Sequence, residues 1–349
     1  MTTTASPRSG AAALFDVMMA HEKAAYVRAA AEIGIADALA DGPRTSAELA
    51  HDLGADRSAL TRFLRACTAA DIVRETDTAA FELTPVGELL RSESPFHGAM
   101  VSFAGPRMNR LYEHIGETVR TGVPATKTAL GEDFLEYFED VAVPADEGPM
   151  FGRALAFLAA LCGRRLAARY GIAECRRIVD VGGGHGALLA AVLAAAPETT
   201  GVLVDIPEVI VRAREYVAAQ PAADRIEFAP GNFFEHVPVG GDLYTIKSVL
   251  LDWDDEHAAR ILERVAAAAE PGTRLLVVDW FLPSDPSDDD SYAARMRMID
   301  FWLLLTAGGK VRTEEEFHAL VTGAGFTVDG VGRFETGPVA WDVIDARRV

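Results

Sequence analysis

Cysteine is scarce in this 349-residue chain: there are three, Cys67, Cys162 and Cys175, too far apart to form a C-x-x-C pair. So few and so scattered, they exclude a disulfide framework and a thiolate zinc site, and they read as reduced core thiols of a cytoplasmic protein. Positive charge is also short. Thirty-three Lys and Arg face 52 Asp and Glu, a net of −19, and so acidic a surface repels phosphate backbones. No stretch approaches the roughly 18 uncharged apolar residues of a membrane span. The longest apolar piece, Ala154 to Gly163, runs straight into Arg164 and Arg165. The segment Met1–Gly10 is polar and lacks the apolar run of a signal peptide. No His/Asp/Glu group has metal-ligand spacing. The expectation is a cytoplasmic protein that takes no metal, nucleic acid or membrane as partner.

Apolar material is ample. Half the residues are hydrophobic and 24% charged, enough to fill two domains. From Ala11 to about Tyr170 apolar residues recur at three- and four-residue spacing, which predicts helices, the first over Ala13–Val27 and Ala29–Leu39. Thr45 followed by Glu48 has the spacing of a capping box opening a helix over Ser46–Asp52, and a second helix runs from Arg57 to Ala70. Ile72–Glu75 and Phe81–Thr84 alternate around a polar turn as hairpin strands do. Helix, turn, helix and hairpin is the order of a winged helix. Residues 1–100, however, carry nine basic side chains against fourteen acidic ones, so a structural or dimer-forming role is expected ahead of DNA binding. The Ala-rich helices over 11–39 are apolar over a wider stripe than a monomer surface needs.

From Arg176 the period changes. Seven short β-branched runs (Arg177–Val181, Gly201–Asp205, Arg225–Ala229, Asp242–Val249, Thr273–Asp279, Gly325–Val331 and Trp341–Ala346) alternate with helices such as Ala187–Ala196, Val209–Ala219 and Asp255–Ala269. That alternation predicts a parallel sheet covered on both faces, with the last two strands as an antiparallel pair at one edge. Pro283–Asp290 reads as an acidic loop.

The sharpest local signal is Ile178-Val-Asp-Val-Gly-Gly-Gly-His-Gly-Ala187, a β-run that ends in glycines and opens a helix. This is the context of a nucleotide-binding loop, in which glycines admit the ligand and helix N–H groups point at it. Gly182, Gly184 and Ala187 also satisfy the relaxed dinucleotide pattern. Asp205 closes the next strand, placed either to accept two ribose hydroxyls or to cap a helix. Gly231-Asn-Phe-Phe234 ends the third, where an amide can meet an adenine edge and a phenylalanine its face.

These residues resemble a known family. Val179-Asp-Val-Gly-Gly-Gly-His-Gly186, Val204-Asp-Ile-Pro207, Gly231-Asn-Phe-Phe234, Lys247-Ser-Val-Leu-Leu-Asp-Trp-Asp-Asp255 and Gly308-Gly-Lys-Val-Arg-Thr313 match, in order and spacing, the small-molecule O-methyltransferases of the plant caffeate type. The likeness is greatest to the bacterial branch acting on aromatic polyketides, and it spans essentially the whole chain. It implies an α/β fold: a Rossmann-like, seven-stranded class I methyltransferase domain over residues 171–349, a helical and winged-helix-like dimerisation domain over 1–105, and linking helices over 106–170. It implies a homodimer and S-adenosylmethionine as cofactor. Asp180, Gly182, Gly184, Asp205, Ile206, Asn232, Phe233, Lys247 and Ser248 would bind that cofactor. Phe151-Gly-Arg-Ala-Leu155 resembles the family's helix over the active site. Met18, Phe103, Met108, Phe157, Leu251 and Trp302 are large apolar candidates for the wall of an aromatic substrate.

Two departures stand out. The adenine position, usually Asp, is Asn232. More seriously, the family's base histidine is replaced by Leu251 in Val249-Leu-Leu-Asp-Trp253. Methyl transfer from a sulfonium can proceed by proximity and orientation, and base catalysis adds only about 10²–10⁴-fold where it operates. Loss of the histidine therefore favours an acidic phenol or a carboxylate over a poorly acidic alcohol as acceptor. Asp252 and Asp300 are the remaining polar candidates near the reaction, though Asp252 also suits a helix cap. Two other readings stay open: a cofactor-binding homologue that hydroxylates, decarboxylates or catalyses a pericyclic reaction, and a winged-helix metabolite sensor.

Overall fold

The computed structural model describes residues 10–131, 150–285, 291–336 and 339–349. The chain divides into two compact units. Described residues up to Arg110, with 150–154, form one; those of 111–131 and from Leu155 onward form the other.

In the first unit the first helix runs on from Gly10 to Ile33, past the expected break near Arg28, and a short helix, Ile35–Ala38, follows after Gly34. No Pro or Gly stands between Ala11 and Ile33, so nothing interrupts the Ala-rich run. Leu14, Phe15, Val17 and Met18 are exposed along it. The capping box forms: Glu48 N–H donates to Thr45 Oγ1 at 3.3 Å and Thr45 N–H to Glu48 Oε2 at 2.8 Å. It opens the helix Ser46–Asp52, and Asp56 caps the next, Arg57–Ala69. Strands β2 (Val73–Glu75) and β3 (Ala80–Leu83) make the expected hairpin. A third strand, β1 (Arg44–Thr45), pairs with β3 on its other side. At two residues it is too short to show alternation. Ile35, Leu49, Leu64, Ile72 and Phe81 are buried in the core of this unit.

The second unit is built on a seven-stranded sheet: β4 (Arg177–Val181), β5 (Thr200–Asp205), β6 (Ile226–Pro230), β7 (Leu243–Lys247), β8 (Arg274–Asp279), β9 (Phe326–Thr336) and β10 (Val339–Arg348). Their order is β6-β5-β4-β7-β8-β10-β9. The first five are parallel, while β10 runs antiparallel to β8 and to β9, as the sequence predicts. Apolar side chains fill both faces. Val179, Val181, Ile246, Val277 and Phe317 lie on one side; Ile178, Leu203, Leu243, Val278 and Trp341 lie on the other. The chain starts in the middle at β4, winds out to β6 and returns to β7, so the strand order reverses between β4 and β7. Of the predicted acidic loop, residues 286–290 lie outside the described residues. Among the described residues no helix is long and apolar enough to cross a membrane.

Candidate active site

The strand order reverses between β4 and β7, and the carboxyl ends of the strands beside such a reversal are where open α/β sheets hold ligands. The glycine loop begins there. Gly182 and Gly183 both donate to the carbonyl of Val204, at 2.8 and 3.2 Å, which lays the loop across the end of β5. Gly182 has φ +68°, and a Cβ there would stand 2.6 Å from Val249 Cγ2 and 3.6 Å from Phe233 Cε1. The loop, the Phe233 ring and the segment after β7 therefore converge at a point where only glycine fits. Gly184 and Gly231, by contrast, face open space.

Asp205, the last residue of β5, ties the loop down. Its Oδ2 accepts the Gly184 N–H at 2.8 Å and its Oδ1 the Ile206 N–H at 2.9 Å. Burial raises the Asp205 carboxyl above the ordinary carboxylate range, and the two N–H groups oppose that shift. Asp205 is not a helix cap; Ile206 occupies that position before the helix Pro207–Ala218. After β6, Asn232 is exposed, and its Oδ1 accepts the Phe234 N–H at 2.9 Å. Phe233 and Phe234 pack edge to face at 4.9 Å, and Phe234 meets Trp253 at 4.7 Å.

At the end of β7, Lys247 places its Nζ 4.3 Å from the centre of the Trp341 ring. Ser248 follows with φ +52°, unusual for a residue with a side chain, and its N–H donates to Val278 O at 2.9 Å. Several buried polar atoms at these strand ends have no hydrogen-bond partner: Asp180 Oδ2, Ser248 Oγ, Asp279 Oδ2 and Trp280 Nε1. Native interiors rarely leave such atoms unpaired unless a ligand or water completes them. A polar ligand with its own donors fits this edge.

The segment Leu250–Trp253 is gripped from below by a residue that sequence reasoning did not single out. Arg312, fully buried, donates from Nη1 to Leu250 O and from Nη2 to Trp253 O, both at 2.7 Å, and from Nε to Asp255 Oδ1 at 2.8 Å. Lys310 N–H donates to Leu251 O at 3.0 Å. Asp300 supports this arrangement by accepting the Val311 N–H at 2.9 Å. Asp254, not Asp252, caps the helix Asp255–Ala268, and it also meets His257 Nδ1 at 2.7 Å.

Leu251 lies buried in an apolar cluster with Leu303 and Val311, against Trp280, Leu282, Ile299 and Trp302. Two of the six apolar candidates, Leu251 and Trp302, are thus neighbours. Phe157 is half-buried on the helix Met150–Arg169. Met18 and Met108 belong to the first unit, the former exposed and the latter buried. The side chains of Phe103 and Phe151 lie outside the described residues. Asp279 was also missed: it ends β8 as Asp205 ends β5, and is wholly buried. Its Oδ1 accepts the Trp280 N–H at 2.9 Å. Burial pushes its carboxyl up to about 7, with the Leu251 N–H among the groups that oppose the shift. Among the described residues no group of three His, Cys, Asp or Glu could hold a metal ion.

The O-methyltransferase domain model matches residues 112–327, and the O-methyltransferase dimerisation domain model matches 15–93. The chain belongs to the O-methyltransferase family. Within that family, it is 36% identical to the 8-amino-8-demethylriboflavin N,N-dimethyltransferase of Streptomyces davaonensis, over 97% of this chain and 96% of that one. The solved structure of the mitomycin 7-O-methyltransferase MmcR superposes with a TM-score of 0.86 at 32% identity, covering 98% of each chain. CalO1, a methyltransferase in calicheamicin biosynthesis solved in its SAH-bound form, gives a TM-score of 0.81 at 31% identity, over 99% of this chain and 100% of that one. The second unit is accordingly a class I methyltransferase fold, and the cofactor is S-adenosylmethionine.

Proposed function

We propose that this protein methylates a hydroxyl group of an aromatic polyketide or related natural product, in the cytoplasm and as a homodimer. On this reading the glycine loop at Gly182–Gly184, open at Gly184, receives the methionine part of the cofactor, beside Asp180, Lys247 and Ser248. Asp205 and Ile206 take the ribose. Asn232 and Phe233 take the adenine, Asn232 through its amide and Phe233 through its ring. The exposed apolar face of the helix Gly10–Ile33, within the match to the dimerisation domain, supports pairing with a second copy, and the helix–helix–hairpin after it is a winged helix in a structural role. Three free cysteines suit a reducing compartment.

The observation that carries the acceptor side is the setting of Leu251. Where a base would stand, an aliphatic side chain sits among Leu303, Val311 and Trp280. The bound cofactor supplies a methyl group already activated on a sulfonium. Leu251, Trp280 and Trp302 exclude water and offer a flat apolar wall to a polycyclic ring. The acceptor oxygen then has to ionise largely through its own chemistry, as a phenol beside a carbonyl or quinone does.

The experiment is incubation of purified protein with S-adenosylmethionine and polycyclic phenols graded in acidity, with methylated product and S-adenosylhomocysteine followed together by mass spectrometry. Product and homocysteine in equal amounts, with rates that rise with phenol acidity, are expected. Conversion of an acceptor without gain of a methyl group would overturn the reading. Aromatic amines belong in the panel, because the relative named as an N,N-dimethyltransferase and the missing base also suit a nitrogen acceptor with a free lone pair.

A further inference from the structure

Among the described residues, three carboxyl groups at the ends of β4, β7 and β8 act on one ammonium, that of Lys247. Asp180, the penultimate residue of β4, is 1% exposed, and Asp279, the last residue of β8, is 0% exposed. Each has one satisfied oxygen: Asp180 Oδ1 accepts from Thr245 Oγ1 at 2.7 Å, and Asp279 Oδ1 from the Trp280 N–H at 2.9 Å. Each keeps the other oxygen buried without a hydrogen-bond partner, and the hydroxyl of Ser248, the residue after β7, is likewise buried without one. Asp252, in the turn after β7, feels the charges of both Asp279 and Lys247.

Among the described residues, the other charged or titratable groups acting on Lys247 and the three acids do not balance them. Cys162 faces Lys247 and Asp180 from the helix Met150–Arg169, and burial pushes its thiol up to about 12, so it stays neutral. Asp205, from β5, adds negative charge toward Asp180. Arg312 faces Asp279, but its guanidinium is bonded to Asp255 and two carbonyls. Burial disfavours the charged form of all three acids and Lys247 offsets this only in part, so the group keeps protons that exposed acids would lose. Burial accordingly raises Asp180 to about 6 and Asp279 to about 7, and holds Asp252 well above the ordinary carboxylate range.

We infer that Asp180, Asp252 and Asp279 form a proton-linked cation site: they release a proton when positive charge occupies this strand edge and regain one when that charge disappears. The inference rests on the proposed cofactor site, because the methyl donor is a sulfonium cation and the spent cofactor a neutral thioether. In the transfer the acceptor O–H breaks, its oxygen forms a bond to the methyl carbon, and the carbon–sulfur bond breaks with its electron pair passing to sulfur. The proton freed from the acceptor returns to the carboxyl cluster, whose affinity for it rises as the sulfonium charge is lost. Proton uptake is thereby supplied in a site whose usual base position is Leu251.

The test is titration calorimetry near pH 7 in two buffers of different ionisation enthalpy, which counts protons exchanged on binding. The ligands are S-adenosylmethionine, the amine analogue sinefungin, and S-adenosylhomocysteine. The two ligands with a cation at the sulfur position should release up to about one proton more than S-adenosylhomocysteine. Asp252→Asn and Asp279→Asn should each shrink that difference, while Asp254→Asn, at a helix cap, leaves it unchanged. Equal proton counts for all three ligands in the unaltered protein would overturn the inference while leaving the cofactor site standing. So would a difference that survives both substitutions. Asp252→Asn, in the short turn after β7 rather than in the sheet, serves if Asp279→Asn fails to fold. Failure of every ligand to bind would remove the proposed cofactor site itself.

Discussion

The carboxylate of Asp205 and the backbone of Gly184 are joined by a 2.8 Å hydrogen bond, which fixes the glycine loop to the end of the neighbouring strand. A second bond, to the Ile206 N–H, holds the same carboxylate in place. Asp205→Ala should strand both donors, cost about 1–3 kcal/mol in urea unfolding, and lower the affinity for S-adenosylhomocysteine by roughly tenfold or more. Asp205→Asn keeps one carbonyl acceptor and should recover most of the stability but little of the affinity. Calorimetry and denaturation on both variants separate the loop-fixing role from the ligand-binding one.

Gly182 and Gly184 both have positive φ, 68° and 55°, but different surroundings. Alanine at 182 meets Val249 at 2.6 Å, whereas alanine at 184 meets nothing within 4 Å. Gly182→Ala should therefore lose stability through both strain and collision. Gly184→Ala should carry only the backbone strain, about 1–2 kcal/mol, and show its main effect as weakened cofactor binding, since on the proposed reading its methyl group projects toward the cofactor. Melting temperatures and S-adenosylhomocysteine affinities measured side by side check the contrast.

Much of this site was legible in the sequence because its signals are local. Glycines after a β-run, acids closing strands and the order of strands and helices are read from neighbours in the chain. Asp279 could have been found by the rule that found Asp205, an acid at the end of a parallel strand. Other features were not legible because they join distant segments. Arg312 reaches back to carbonyls about sixty positions earlier, and nothing near it announces that partner. Asp300 reads as a buried acid in need of a partner, yet the partner is a backbone N–H of the following loop. Asp252 suits a helix cap by sequence, but the turn at Leu250–Asp252 passes that role to Asp254. The strand β1 went unseen because its two residues have no pattern of their own.

Removal of Arg312 should loosen the turn that carries Leu251. Arg312→Met leaves the Leu250 and Trp253 carbonyls without their donors, a loss of about 2–4 kcal/mol for two buried acceptors. Arg312→Lys cannot supply the three-way fork and should recover less than half of that. Hydrogen exchange is expected to rise in residues 250–253 of both variants. A protected turn in Arg312→Met would show that packing alone holds it.

Asp279 also makes stability depend on pH in an unusual direction. Its carboxyl in the folded chain titrates near 7, against about 3.9 when unfolded. Between these values the folded state keeps a proton that the unfolded chain has given up, so this group's contribution falls as pH rises from about 4 to 7 and is constant above. Three units correspond to roughly 4 kcal/mol at most. Exposed acids whose carboxyls are lowered by partners, such as Asp52 beside His51 and Arg44, act in the opposite sense, so the comparison has to be made against a variant. Asp279→Asn removes the ionisation while keeping the shape and the acceptor for the Trp280 N–H. Its unfolding free energy should approach or exceed that of the unaltered protein at pH 8 and fall below it at pH 5. Parallel stability curves for the two proteins across that range would show that Asp279 does not carry the titration.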